Sequence, residues 1–209
     1  MAIDTSTDRP ILDALEVAFP GPTGDEVGAL HDLLAQRAAA ADLLDVAYRT
    51  VDSPIGPLLV AVTPAGLVRV AFELEDHDAV LVELASAISP RVLRSRPRTD
   101  AVARQLGEYF AGTRRAFDLA VDLQLVDGFR RTVIAHLPEI AYGTTESYAE
   151  VALAAGSPRA VRAVGTACAR NPVPVVVPCH RVVRSDGTYG QYRGGPAAKA
   201  ALLTMEAAA

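Results

Sequence analysis

The 209-residue chain contains no tryptophan, two cysteines and only 5% aromatic residues. Two cysteines, Cys168 and Cys179, cannot build a disulfide framework and suit a reducing compartment. No run of about 18 apolar residues occurs, so no membrane-spanning helix and no membrane partner are expected. The first residues, MAIDTSTDRPILDALEVAFPGPTGDE, lack a basic start followed by a long apolar stretch, so no secretory leader is expected and a cytoplasmic location is. Metal-ligand spacing is also missing. His31, His77 and His136 are scattered, whereas a zinc site needs about four ligands, so neither a metal nor a cofactor is expected.

What is present is a chain long enough for one large or two small domains, half of it hydrophobic. The net charge of −5 looks unfavourable for binding nucleic acid, but the charge is unevenly placed. Between Gly156 and Lys199, seven Lys or Arg face one acid, Asp186, a net of +6; the remaining thirteen basic and twenty-four acidic residues give −11. Such a segment can hold an anion locally while the acidic body limits non-specific association, although a solvated basic face has the same signature.

Residues 1–45 read as a helical extension: ILDALEVAF and VGALHDLLAQRAAAADLL show helical spacing around a PGPTGDE break. From Val46 the texture changes. VAYRTV, PLLVAV and LVRVAF are short β-rich runs between turn-forming DSPIG and TPAG, which predicts a three-stranded antiparallel meander. HDAVLVELASAIS and TDAVARQLGEYFAG have helical periodicity, and AFDLAVDL alternates like a strand, so residues 46–125 form an α/β domain. Residues 126–209 are helical with short loops. Phe129, Val133, Ile134 and Leu137 share one helix side. Ser147 and Glu150 have capping-box spacing, and Ser157 with Pro158 reads as the start of a second helix. The two short helices around GSP predict a helix-turn-helix. The second is built of small residues, which permit either close approach to a groove or close helix packing.

The stretch NPVPVVVPCHRVV raises the chemical question. An ordinary thiol has a pKa near about 8.5, so a useful nucleophile needs a base beside it, and His180 follows Cys179 directly. A histidine base needs a third group to hold its tautomer, and Glu206 in the last helix is the candidate. Pro178 and the turn from Asn171 to Pro174 would hold the thiol in place. A free cysteine is also commonly a small buried hydrophobe, and a cysteine protease or acyl-transfer site would use the same pair of residue types.

These residues carry a resemblance. PVPVVVPCHRVV resembles the active-site signature of the O6-alkylguanine-DNA alkyltransferases, the methylated-DNA–protein-cysteine S-methyltransferases. Ser147-Tyr148, RAVG at Arg162–Gly165, NPVP, YGQYRGG and LLTMEA stand around it in family order, over about residues 46–206. The resemblance implies an α+β protein. A ribonuclease H-like N-terminal domain would precede a winged helix-turn-helix-like C-terminal domain that binds DNA and carries catalysis. It implies that Cys179 accepts the alkyl group once and irreversibly, with His180 as base, Glu206 orienting it, Tyr148 assisting the guanine leaving group and Asn171 bracing the turn. Arg162 would be the finger replacing a flipped nucleotide, with Arg159, Ser157, Ala163, Thr166, Arg170 and Arg181 on the DNA side. Tyr192, Arg193, Gly194, Val182 and Pro174 would line the substrate pocket. The implied partner is double-stranded DNA carrying O6-alkylguanine, entered through the minor groove without sequence preference by a monomer, with O4-alkylthymine as a second candidate substrate. Arg193 departs from the small residue common in relatives. It would either narrow the pocket or add a phosphate contact. A non-catalytic lesion binder would lack Cys179, and a cysteine-sensing regulator would need a helix suited to base readout.

Overall fold

Alternating side chains in the first three strands bury both faces of one sheet, with one irregularity where the third strand skips Val68 opposite Ala61 and Val62. In the computed structural model, which describes residue 21 and residues 23–208, the strands are β1 (Val46–Val51), β2 (Leu58–Thr63) and β3 (Gly66–Phe72), and β2 is buried throughout. They form the expected antiparallel meander, with Tyr48 opposite Ala61 and Val60 opposite Val70. Ala47, Leu58, Val60, Val62, Val70 and Phe72 fill one face, and Val46, Leu59, Ala61, Val68 and Ala71 the other. Period-two alternation places successive side chains on opposite faces, so a strand buried on both sides reads as continuously apolar.

Helices cover each face. Helix α1 (Gly24–Ala40) opens with a capping box between Thr23 and Glu26 and sends Ala35 into the core. Helix α2 (His77–Ala87) packs Val80 and Leu84 on the second sheet face. A short strand, β4 (Val92–Arg94), then pairs parallel with β1, so the sheet has four strands in the order β3-β2-β1-β4 rather than three. Helix α3 (Arg96–Phe110) lays Val102, Leu106 and Tyr109 on the first face. The stretch AFDLAVDL departs from expectation. It makes one bridge, Val121 to Leu67, and is held besides by Thr63 Oγ1, which donates to Asp122 at 2.5 Å, and by Gln105 of α3, whose side chain bonds both backbone groups of Asp118 at 2.8 Å. Side-chain ties thus replace a ladder. The N-terminal ILDALEVAF helix of the sequence reading lies outside the described residues.

The C-terminal unit consists of α4 (Gly128–His136), α5 (Tyr148–Ala154), α6 (Val161–Ala169) and α7 (Gly195–Ala207). The Ser147–Glu150 capping box forms as expected. Ser157, however, does not cap α6. Its carbonyl accepts from Ala160 N at 2.8 Å in a turn, and the helix begins at Val161 without a side-chain cap. A two-residue parallel ladder joins β5 (Glu146–Ser147) to β6 (Val182–Val183). That ladder brings the start of α5, where Tyr148 sits, beside the segment that carries Cys179.

Candidate active site

A tight turn presents the cysteine. Asn171 accepts from Val173 N at 3.0 Å and donates Nδ2 to the Val177 carbonyl at 2.8 Å, closing residues 171–177 into one loop. Val175, at its tip, has φ of 72°. A β-branched residue rarely adopts that conformation, so the surrounding bonds must hold it there. The N-terminal unit contributes as well: Val70 N in β3 donates to the Pro172 carbonyl at 2.8 Å. The turn ends in one 3₁₀ turn, Cys179–Arg181, with Cys179 N bonded to Val177 O at 2.8 Å.

Cys179 is 2% exposed. Burial pushes its thiol up to about 11, against the opposing pull of the Asn171 hydrogen bond and the Lys199 and Arg193 charges. Desolvation thus outweighs its charged neighbours and favours the protonated thiol, which makes a base beside it necessary.

His180 is fully buried. Its Nε2 lies 2.9 Å from Glu206 Oε1, and its Nδ1 is buried without a hydrogen-bond partner among the described residues. Burial lowers its pKa, although Glu206 pulls the other way. Burial would raise the Glu206 carboxyl, but hydrogen bonds from His180, Arg181 and Tyr109 hold it well below the ordinary carboxylate range. Tyr109 Oη donates to Oε1 at 2.6 Å, Arg181 spans both oxygens at 2.9 Å, and Gly143 N approaches Oε2 at 3.3 Å. An ionised Glu206 requires Nε2 to carry the hydrogen. The neutral ring then keeps its lone pair on Nδ1, free to take a proton.

Tyr148 stands at the first position of α5, half-buried, and burial raises its hydroxyl to about 12, with the neighbouring Cys168 and Cys179 adding to the rise. A hydroxyl that keeps its proton can donate it. Its Oη packs on Gly190, where an added Cβ would lie 2.1 Å away, so only glycine fits. Tyr192 sets its ring edge-on to His180, with centroids 6.4 Å apart.

Of the residues expected on the DNA side, Arg159, Arg162, Ala163, Thr166 and Arg170 are exposed along or beside α6, and Ser157 is half-buried. Val164, Ala167 and Cys168 form the opposite, buried side of that helix. Arg181 is a correction. It is 6% exposed and spends its guanidinium on Glu206 and on the Ile140 carbonyl, at 2.6 Å, so it is an internal counter-ion and not a DNA contact. Val182 and Pro174 are likewise buried; Val182 belongs to β6, and its carbonyl accepts from Lys199 Nζ at 2.6 Å. Arg193 pairs with Glu75 of the N-terminal unit.

Three participants escaped sequence reasoning. Tyr109 lies 97 positions from the carboxylate that it meets, with no local signal. Gly143 contributes only a backbone N–H. Lys199 could have been found: it is the only lysine in the chain, set in the Ala-rich first half of the helix that carries Glu206, and it is fully buried next to both cysteines.

Comparison with known proteins identifies the family. Residues 46–123 match the family described as 6-O-methylguanine DNA methyltransferase, ribonuclease-like domain, and residues 128–208 match its DNA binding domain. The methylated-DNA–protein-cysteine methyltransferase of Mycolicibacterium paratuberculosis is 43% identical over 77% of this chain and 92% of its own. That of Methanosarcina barkeri is 38% identical over 76% and 96%. Among solved structures, the Mycobacterium tuberculosis O6-methylguanine methyltransferase superposes with a TM-score of 0.69 at 36% identity, covering 78% of this chain and 93% of that one. The M. tuberculosis OGT in complex with DNA gives 0.68 at 38% identity over the same shares.

Proposed function

Because this chain belongs to the 6-O-methylguanine DNA methyltransferase family, we propose that it repairs DNA by moving the alkyl group of O6-alkylguanine onto Cys179. The observation that carries the assignment is the Glu206–His180 pair, which leaves Nδ1 of a neutral imidazole, one residue from the thiol, unpartnered among the described residues.

The chemistry follows from the site. His180 Nδ1 takes the thiol proton, directly or through one water. The sulfur lone pair then attacks the alkyl carbon in line as the carbon–O6 bond breaks, and its electrons return to the guanine. Tyr148 supplies a proton or hydrogen bond to the departing base, and its raised pKa keeps that proton available. The product is a thioether. No group in the site activates water to cleave it, so each molecule acts once. The alkyl carbon lies inside the base stack, so the nucleotide must rotate out, at a cost of about a few kcal/mol. Helix α6 would enter the minor groove. Its small residues allow close approach, and Arg162 would occupy the vacated place. We assign residues 46–125 and 126–209 as the two working units of a cytoplasmic monomer, with residues 1–45 as an extension, and include O4-alkylthymine as a second substrate.

A duplex with a labelled methyl on guanine O6 tests this. One label per protein should move to Cys179, and none to Cys179→Ala, which should still bind the duplex. Label that remains on the DNA with the wild-type protein removes the assignment; the same duplex with O4-methylthymine tests the second substrate.

A further inference from the structure

The wall of the pocket is held from outside its own domain. Residues Tyr192–Gly195 form a turn closed by Gly195 N to Tyr192 O at 3.0 Å, and this turn sits on the chain that leaves β3. Phe72 meets Tyr192 edge-on with centroids 5.5 Å apart. An added Cβ at Gly194 would lie 2.6 Å from the Phe72 ring, so the two chains touch too closely for any side chain. At Gly195, φ is 82° and Leu74 lies beneath.

Ionic contacts complete the junction. Glu75 Oε2 accepts from Arg69 at 2.6 Å and from Arg193 Nε, while Oε1 accepts from Phe72 N at 3.0 Å. Glu75 and Arg69 are nearly buried, with side-chain exposures of 9% and 4%, so this pairing is little screened by water. The same turn sets Tyr192 edge-on to His180, within electrostatic reach of Cys179. Arg193, whose side chain keeps 30% of its surface exposed, gives its Nε to Glu75. It fastens the turn.

We propose that Glu75, shared by Arg69 and Arg193, is a latch through which the N-terminal unit holds the Tyr192–Gly195 wall beside Cys179 and so limits the size of the alkyl group transferred. Arg193 and Glu75 are positioning residues. The size limit rests on the alkyl-transfer function proposed above; the hold on the wall does not. A methyl group needs little room beside the sulfur, whereas a benzyl group requires the Tyr192 wall to retreat, which the shared carboxylate resists.

The test compares wild type with Arg193→Ser, Glu75→Gln, the double variant and Arg193→Lys. One readout is the ratio of single-turnover rates on O6-benzylguanine and O6-methylguanine in the same duplex. The other is alkylation of Cys179 by iodoacetamide, mapped by mass spectrometry, which needs no DNA. Each single variant should raise the benzyl-to-methyl ratio about tenfold and the labelling of Cys179 about fivefold. The double variant should exceed neither, because both singles break one contact, and Arg193→Lys should stay near wild type. Glu75→Gln strips a buried guanidinium of its partner; if circular dichroism shows it unfolded, Arg193→Ser decides. A folded Arg193→Ser with both readouts within twofold of wild type overturns the latch. Faster labelling in variants of a protein that transfers no alkyl group keeps the hold on the wall and removes the size limit together with the proposed function.

Discussion

His180 can serve as a base only if its hydrogen sits on Nε2, and Glu206 selects that tautomer. The carboxylate also neutralises Arg181, which is buried. Glu206→Gln should therefore do two things at once. It weakens the hold on the imidazole, and methyl transfer should fall by about a hundredfold or more in single-turnover assays. It also leaves a buried cation unpaired, which costs about 3–5 kcal/mol and should appear in urea melts at pH 7. The pH dependence has a definite sign. The folded-state pKa lies below the ordinary 4.5, so the stabilisation is complete above that value and is lost as acid protonates the carboxylate. The wild-type melt should thus weaken on acidification below about pH 4.5, and Glu206→Gln should lose that part of the slope. The thiol gives a second pH signature. With Cys179 pushed up to about 11, its alkylation by iodoacetamide should climb close to tenfold per pH unit from 7 to 10. A plateau already reached at about pH 9.5 would mean that the thiol ionises as an ordinary cysteine. Cys179 and His180 were legible in the sequence because they are neighbours in it. Tyr109 was not, since a contact across 97 positions leaves no pattern in either segment.

At the scale of elements, what positions the site is mostly short. The loop at residues 171–177 depends on one side chain, Asn171, whose two hydrogen bonds hold Val175 in a conformation that valine disfavours. Asn171→Ala leaves the Val177 carbonyl and the Val173 N–H buried and unpaired, a loss of about 2–4 kcal/mol measurable by chemical denaturation. The relaxed turn should slow alkyl transfer as well. Helix α6 makes a different prediction. Arg162 is exposed and touches nothing in the catalytic network, so Arg162→Ala should react normally with free benzylguanine yet lose most activity on duplex DNA. Equal loss on both substrates would show that Arg162 does not assist extrusion. Short elements are also where sequence and structure part. Helices α2, α3 and α5 were legible from periodicity and caps. Strand β4, at three residues, is too short for periodicity to register, and it exists because β1 offers it an open edge. AFDLAVDL alternates as a strand should, but it pairs with β3 only at Leu67, and at Asp118 Gln105 of α3 takes its backbone groups instead. Ser157 and Pro158 have the residue types of a helix start, yet the turn around Ala160 delays α6 to Val161.

For the whole molecule the question is how a chain of net charge −5 engages a polyanion. The sequence places seven cations between Gly156 and Lys199, but the fold removes three of them from the surface account. Arg181 is buried against Glu206, Lys199 is fully buried against the Val182 carbonyl, and Arg193 is paired with Glu75. Arg159, Arg162, Arg170 and Arg184 remain exposed. Each phosphate neutralised contributes about −0.9 to the slope of log K against log salt on duplex DNA, so these cations support a slope of about −3 to −4. Fluorescence anisotropy of Cys179→Ala on a short duplex should therefore show affinity falling about a hundredfold between 50 and 200 mM salt. Arg159→Ala or Arg170→Ala should each flatten the slope by about one phosphate. A slope near −6 would mean that the internal cations also reach DNA, which their partners in this fold forbid. A slope near zero would mean that the acidic body, and not the α6 face, governs the encounter.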